Sequence, residues 1–349
     1  MQNPFITTYY KEPDFFCGRE EEIIRLITIA RNTVNTILLG PSRMGKTSLI
    51  HKTFEKLNNS NEFKCFYLDI LATDNLKEFT KNFYNSIIKI YPEKSPVNFD
   101  FKLPRQNEQV LFSLFDFLDK QNVKILIAID EFQQIVRYPE KNTITILRQA
   151  TQKLKNTSFI FSCSNEYLLN DFFSDGKQLF FTNFDLLQLG GIKQNVYIRF
   201  ITENFEKNKR SITEEAVNFI LEWTRRHTYY SQYLCKRVFE NEIKEIDIED
   251  VHEECGRILE ENESNYFIYR NLLSPVQWLL LKAIAKEEKV YHPTAKKFLM
   301  QHNIGTPANV QRALDALLNK EVVFAAHDEN GRYYQVFDCF LSRWLENLD

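Results

Sequence analysis

A short glycine-containing segment near the amino end constrains the fold more than any other feature of this chain. Residues 40–47 fit the spacing G-x-x-x-x-G-K-S/T, between an apolar strand-like run and a segment with helical periodicity. The glycines let the backbone turn so that successive N–H groups face inward, and the following helix adds the positive end of its dipole. Such a loop surrounds the phosphates of a nucleotide. The predicted nucleotide-binding residues are Gly40, Pro41, Ser42, Arg43, Met44, Gly45, Lys46, Thr47 and Ser48.

The last two residues of the loop have separate predicted roles. The Lys46 ammonium is expected to reach the β- and γ-phosphates of ATP. The Thr47 hydroxyl is expected to bind Mg²⁺, which prefers oxygen ligands. ATP or ADP with Mg²⁺ is therefore the predicted cofactor set.

Two carboxylates follow the apolar run at residues 123–129. Asp130 comes first and is predicted to contribute to the Mg²⁺ site through water, while Glu131 is predicted to orient and deprotonate the attacking water. An acid pair at the end of a strand is also common as a solvated turn. The upstream loop favours the catalytic interpretation, and the pair then indicates hydrolysis of ATP.

A further apolar run, at residues 158–162, is followed by Cys163, Ser164 and Asn165. The tips of neighbouring parallel strands converge on one edge of a sheet, where ligands bind. Ser164 or Asn165 is therefore a candidate sensor of the γ-phosphate. The alternative is an ordinary helix cap ahead of Glu166.

Strand-like runs alternate with helical patterns from residue 34 to about residue 190. This alternation predicts an α/β fold, with a parallel P-loop NTPase sheet and helices on both faces. The predicted core domain spans residues 1–191. Its strand-like runs lie at residues 34–39, 63–70, 123–129, 158–162 and 186–189.

The rest of the chain has a different pattern. Residues 192–270 predict a helical lid domain, with Thr213 as a helix N-cap. Residues 271–349 predict a winged helix: three helices that begin near Ser274, Pro293 and Thr306, then a hairpin turning at Asn330-Gly331. The predicted lid helices lie at residues 193–206, 213–226, 228–241 and 247–267.

Composition argues against several classes of protein. No run approaches the roughly 20 apolar residues of a membrane span, and the first residues lack the pattern of a signal peptide, so a cytoplasmic location and no membrane partner are predicted. The 6 cysteines form no C-x-x-C pair, which argues against a disulfide framework and a zinc site. A net charge of -3 gives no electrostatic case for nucleic acid.

Taken together, these features resemble the STAND-type ATPases of archaea and bacteria, relatives of AAA+ and origin-recognition ATPases. The resemblance implies that Gly18 and Arg19 lie near the adenine and ribose of the nucleotide. It also implies that His227 touches a phosphate, although the glycine and proline that flank this histidine in relatives are missing here; a packed side chain is the alternative. The resemblance rests on residues 3–5, 16–22, 40–47, 130–132, the strand ending at 163–164 and the winged-helix pattern.

A second departure from the family concerns the trigger of hydrolysis. Relatives often carry Gly-Arg where this chain has Phe181-Thr182-Asn183. An arginine at such a site can contribute roughly 10³ to 10⁵ in rate. Slow intrinsic turnover is therefore expected, unless Arg148 or a partner supplies the positive charge.

Three functional hypotheses follow. The leading one is a switch in which ATP holds the domains in one arrangement and hydrolysis releases it. The second is a DNA-binding regulator with structural nucleotide, and the third is a signalling or defence scaffold that self-associates or binds a protein partner when it holds ATP. In the DNA hypothesis, the recognition helix begins at Pro307 and its polar readers are Asn309, Gln311, Arg312 and Lys320.

Overall fold

The structure is a computed structural model that describes residues 3–7, 15–60, 62–92, 107–164 and 184–348. These residues form two compact units. The first contains residues 19–164 and 184–189, and the second contains residues 3–7, 15–18 and 190–348, in each case as far as they are described. The three-domain division expected from the sequence stays a prediction.

The first unit is built on a parallel sheet of five strands, in the order β2-β3-β4-β1-β5. The predicted α/β fold is thereby confirmed, because helices separate most of these strands along the chain. Residues 125–130 of β3 are all buried, as expected of a strand inside a parallel sheet. The strands are β1 (Thr36–Leu39), β2 (Phe63–Asp69), β3 (Lys124–Asp130), β4 (Thr157–Cys163) and β5 (Asp185–Gln188).

Apolar helix faces cover this sheet. Phe79 and Phe83 lie on one such face and join the buried cluster that contains Phe66 and Phe159 of the sheet. A short 3-10 helix, Phe132–Arg137, follows β3 directly. The α-helices of the unit are α1 (Glu20–Arg31), α2 (Lys46–Asn58), α3 (Leu76–Ile90), α4 (Asn107–Asp119) and α5 (Thr143–Lys153).

Helices dominate the second unit, as predicted. The side chain of Thr213 accepts a hydrogen bond from the backbone N–H of Ala216 at 3.2 Å, which confirms Thr213 as an N-cap. Two short strands, β6 (Ser211–Ile212) and β7 (Glu245–Ile246), pair in parallel. The helices here are α6 (Gln194–Lys207), α7 (Glu214–Trp223), α8 (Thr228–Glu240) and α9 (Ile248–Leu272).

The carboxyl-terminal part has the predicted order of three helices and a hairpin, with two shifts of position. The second helix begins at Lys296, not at Pro293, because the N–H of Ala295 bonds to the carbonyl of His292 and closes a turn first. Glu329 and Asn330 form the hairpin turn, since Asp328 pairs with Gly331. The elements are α10 (Pro275–Glu287), α11 (Lys296–His302), α12 (Pro307–Asn319), β8 (Val323–Asp328), β9 (Gly331–Val336) and α13 (Cys339–Glu346).

One aromatic ring ties α13 to the preceding helices of the second unit. The Phe340 ring lies 4.8 Å from that of Tyr230, 5.4 Å from Trp223 and 5.5 Å from Tyr233, measured between ring centroids. At the amino end of the chain, Phe5 packs in the same unit, 5.2 Å from Phe205. Each helix that the structure describes is too short or too polar to cross a lipid bilayer.

Candidate functional site

The loop at residues 40–47 joins β1 to α2, as its pattern predicts. Gly40 is required by close approach, because a Cβ atom there would lie 2.8 Å from the carbonyl oxygen of Leu189. Gly45 is required by conformation: it precedes α2 with φ of 96°, in the left-handed region that favours glycine. Both glycines of the motif therefore have a structural reason.

The Lys46 side chain lies inside the loop. It is buried, and its Nζ donates hydrogen bonds to the carbonyl oxygens of Gly40 at 2.7 Å and Pro41 at 2.9 Å. Burial lowers the pKa of this ammonium, while the nearby charges of Glu131 and Asp130 oppose that shift. The positive charge of Lys46 therefore lies where the sequence predicts phosphate.

The Asp130 carboxylate connects three elements. It is only 2% exposed. Its Oδ2 accepts hydrogen bonds from Thr47 Oγ1 at 2.6 Å and from Tyr67 Oη at 2.8 Å, and its Oδ1 accepts one from the backbone N–H of Glu131 at 3.1 Å. Burial and the charge of Asp130 raise the pKa of the Tyr67 hydroxyl. The structure brings Thr47 and Asp130 together as predicted, and it adds Tyr67, which the sequence analysis missed.

The Glu131 carboxylate is held by two polar side chains. Its Oε2 accepts hydrogen bonds from Gln133 Nε2 at 2.5 Å and from Ser164 Oγ at 3.1 Å. Gln133 Nε2 also lies 2.6 Å from Ser164 Oγ, and the N–H of Ser164 bonds to Gln133 Oε1 at 3.3 Å. Ser164 therefore lies beside the predicted base, while Asn165 lies outside the described residues. Gln133 is a second residue that sequence reasoning missed.

Strand order explains this assembly. Strand β4 lies between β3 and β1, so Asp130 at the end of β3, Ser164 after β4 and Gly40 after β1 lie at the same edge of the sheet. The N–H of Gly40 bonds to the carbonyl of Cys163 at 3.2 Å and fixes the start of the loop against β4. The site is a cluster of one ammonium, two carboxylates and several hydroxyl and amide groups. Lys46 and Asp130 are buried, while Thr47, Glu131 and Ser164 are half-buried.

Comparison with known families finds matches for two regions of the chain. Residues 16–174 match a family described as an ATPase domain predominantly from Archaea, and residues 264–347 match one described as a probable winged helix domain. The chain is therefore similar to an ATPase domain in its first half and to a winged helix domain near its carboxyl end. A search of curated proteins finds no match.

Solved structures share the fold at low sequence identity. A Walker-type ATPase of Pyrococcus abyssi is 17% identical, with a TM-score of 0.73, and the match covers 98% of this chain and 99% of that one. The ORC2 protein of Aeropyrum pernix, solved in ADPNP-ADP complexes, is 16% identical, with a TM-score of 0.61 and coverage of 99% and 97%. The ORC1 protein of the same organism, solved in complex with DNA, is 13% identical, with a TM-score of 0.53 and coverage of 95% and 93%.

Two side chains of the first unit offer oxygen atoms that suit Mg²⁺. The Thr47 hydroxyl and the Asp130 carboxylate already meet at hydrogen-bonding distance, and both offer the hard oxygen atoms that this cation prefers. The Asp130 carboxylate is also buried and fixed by further hydrogen bonds. These residues fit the predicted cation.

The first unit also contains four other predicted residues, for which the structure gives burial or contacts. Arg19 has a positive φ of 71°, is buried, and donates from Nη1 to Glu22 Oε1 at 3.0 Å. Met44 is buried, Ser48 is half-buried at the start of α2, and Arg148 is half-buried in α5. These contacts do not test the roles of Arg19 or Arg148, which stay predictions.

Two predicted residues lie in the second unit. Gly18 has φ of 64°, and a Cβ atom there would come within 3.2 Å of the Ile192 side chain. His227 is buried at the N-cap of α8, with its ring 4.7 Å from that of Tyr230. This tilted ring contact agrees with the packed alternative for His227, and its role at a phosphate stays a prediction. Residues 181–183 lie outside the described residues.

The predicted DNA-reading side chains differ in their availability. Asn309, Gln311 and Arg312 are exposed on α12. Gln311 Nε2 donates to Asp315 Oδ1 at 3.0 Å, and Lys320 Nζ donates to the carbonyl of Leu272 at 3.1 Å. Two of the four predicted readers are therefore engaged within the chain.

Proposed function

We propose that this protein binds ATP with Mg²⁺, hydrolyses it slowly, and acts as a STAND-type switch whose conformation depends on the bound nucleotide. The observation that carries the proposal is the 2.6 Å hydrogen bond between Thr47 Oγ1 and Asp130 Oδ2. This contact joins the proposed phosphate-binding loop to the acid pair within one site. A site with only one of these parts would support binding without hydrolysis.

The residues divide the chemistry between them. Loop N–H groups and the Lys46 ammonium bind the β- and γ-phosphates and stabilise negative charge in the transition state. Thr47 and Asp130 would hold Mg²⁺, which when bound supplies positive charge to the phosphate oxygens. Glu131 orients a water molecule for in-line attack and accepts its proton.

Gln133 is expected to hold Glu131 in its working position. Gln133→Leu removes the 2.5 Å hydrogen bond to the carboxylate, so hydrolysis at saturating ATP should fall about tenfold while ATP affinity stays unchanged. Gln134→Leu is the matched control, because Gln134 is equally buried and donates to the carbonyl of Thr73 at 3.0 Å instead. Equal hydrolysis rates in the two variants would remove Gln133 from the mechanism.

A switch requires that ATP and ADP favour different conformations. A ligand shifts such an equilibrium only by its differential affinity for the two states. The division of the chain into two compact units supports this proposal. Small-angle scattering with ADP and with a non-hydrolysable ATP analogue should give different radii of gyration, or different masses if the protein self-associates. Superimposable profiles would contradict the switch.

DNA binding by the winged helix is a second candidate function, favoured by the exposed Asn309 and Arg312 on α12. Phosphate contacts release counterions, so an affinity for random duplex DNA that falls as salt rises would support this candidate. An affinity that does not respond to salt would exclude it. Arg312→Ala should weaken the salt-dependent binding, and Lys296→Ala on α11 provides a comparison with another exposed cation of the same domain.

A further inference from the structure

The hydroxyls of Tyr67 and of the predicted Mg²⁺ ligand Thr47 have the same hydrogen-bond acceptor. Both hydroxyls donate to Oδ2 of Asp130, Tyr67 at 2.8 Å and Thr47 at 2.6 Å. Tyr67 reaches Asp130 from the neighbouring strand, since β2 pairs with β3 and Tyr67 lies opposite Ala128, two residues before Asp130. This carboxylate oxygen therefore accepts hydrogen bonds from two elements, α2 and β2.

The ring of Tyr67 is itself held in place. Helix α2 carries His51 one turn after Thr47, on the same face, and the His51 ring lies 4.5 Å from the Tyr67 ring. Helix α2 therefore contacts Asp130 through Thr47. Through His51, it also contacts Tyr67, the side chain that supports Asp130. A tyrosine packed in this way holds its hydroxyl at a fixed position.

We propose that Tyr67 is a positioning residue for the metal site, which fixes the Asp130 carboxylate in the orientation that Mg²⁺ needs. This inference rests on the proposed function. The Thr47 oxygen would contact Mg²⁺ through a lone pair while its proton stays hydrogen-bonded to Asp130 Oδ2. The Tyr67 hydroxyl donates to the same oxygen and lies outside the predicted ligand set, so it orients the carboxylate without contacting the cation. Hydrogen-bonding partners of metal ligands typically contribute about 10- to 100-fold to metal affinity.

The test separates metal binding from nucleotide binding. A fluorescent, non-hydrolysable ATP analogue is titrated into the full chain in EDTA and then at increasing Mg²⁺ concentration. In Tyr67→Phe, the Mg²⁺ concentration at half-maximal effect should rise about tenfold, while affinity for the analogue in EDTA stays at the wild-type value. Phenylalanine keeps the ring beside His51, so packing is preserved. Tyr138→Phe is the control, because Tyr138 is a buried tyrosine of the same unit whose hydroxyl bonds to Thr73 and not to Asp130.

A double-mutant cycle tests whether Tyr67 acts through Asp130. Asp130→Asn should weaken the Mg²⁺ response strongly, and adding Tyr67→Phe should change it no further. An unchanged Mg²⁺ midpoint in Tyr67→Phe, an equal loss of affinity in EDTA, or additive effects in the double variant would each overturn the inference. If the wild-type chain bound the analogue under neither condition, the proposed function would fail, and this inference with it.

Discussion

Lys46→Ala is expected to weaken ATP binding about a hundredfold. The ammonium is buried within the loop at residues 40–47, where it donates hydrogen bonds to the carbonyl oxygens of Gly40 and Pro41. Charge-assisted hydrogen bonds to phosphate oxygens contribute about 1.5 to 3 kcal/mol each, so two of them correspond to at least about 3 kcal/mol, or a factor of roughly 100. Calorimetric titration with ATP and Mg²⁺ measures this change.

The control for Lys46 lies on the same helix. Lys52 bonds to Glu55 at 2.9 Å, and Lys52→Ala should bind ATP as the wild type does. Thermal unfolding of both variants without nucleotide shows whether the loop substitution affects folding. Wild-type affinity in a folded Lys46→Ala protein would show that the loop is not the nucleotide site.

Glu131→Gln is expected to separate binding from hydrolysis. An amide cannot accept the proton of the attacking water, so turnover should fall about 10²- to 10⁴-fold. Affinity for ATP should remain, because Thr47, Asp130 and Lys46 are unchanged. Phosphate release at saturating ATP measures turnover, and the same titration measures affinity.

A distant carboxylate provides the comparison for Glu131. Glu62 lies just before β2, at the opposite edge of the sheet, and its carboxylate pairs with Arg31 at 2.9 Å. Glu62→Gln should leave both turnover and affinity unchanged. If Glu131→Gln retained wild-type turnover, another group would have to serve as the base.

Local patterns were sufficient to place the loop at residues 40–47 between a strand and a helix, and the acid pair at the end of β3. Gly40 to Lys46 are close in sequence, and the strand before Asp130 is recognisable by its continuous apolar run. The turn conformation at Gly45 follows from the same short segment. Features that depend on a few consecutive residues were therefore predictable from the sequence.

Tyr67 and Gln133 were missed because their partners depend on how the strands are ordered. Tyr67 contacts Asp130 only because β2 is the neighbour of β3, and Gln133 contacts Ser164 only because β4 is the other neighbour. No local sequence pattern around a tyrosine near the end of a strand indicates such a contact. Pairing between strands is a property of the tertiary structure.

The misplaced helix start at Pro293 has a different cause. Proline suits the first turn of a helix, but it equally suits the second position of a β-turn, because both need the same backbone φ. The structure uses Pro293 in the turn that Ala295 closes on His292. Sequence alone left these two conformations indistinguishable.

The most direct test of the central claim is phosphate release from ATP and Mg²⁺ by the purified full chain, followed over time beside Lys46→Ala. The wild type should release phosphate continuously, at a rate below the usual enzymatic range of about 1 to 10³ per second. Release by Lys46→Ala should not exceed that of a buffer blank. No release by the wild type, or equal release by both proteins, would contradict the assignment of ATP hydrolysis to this site.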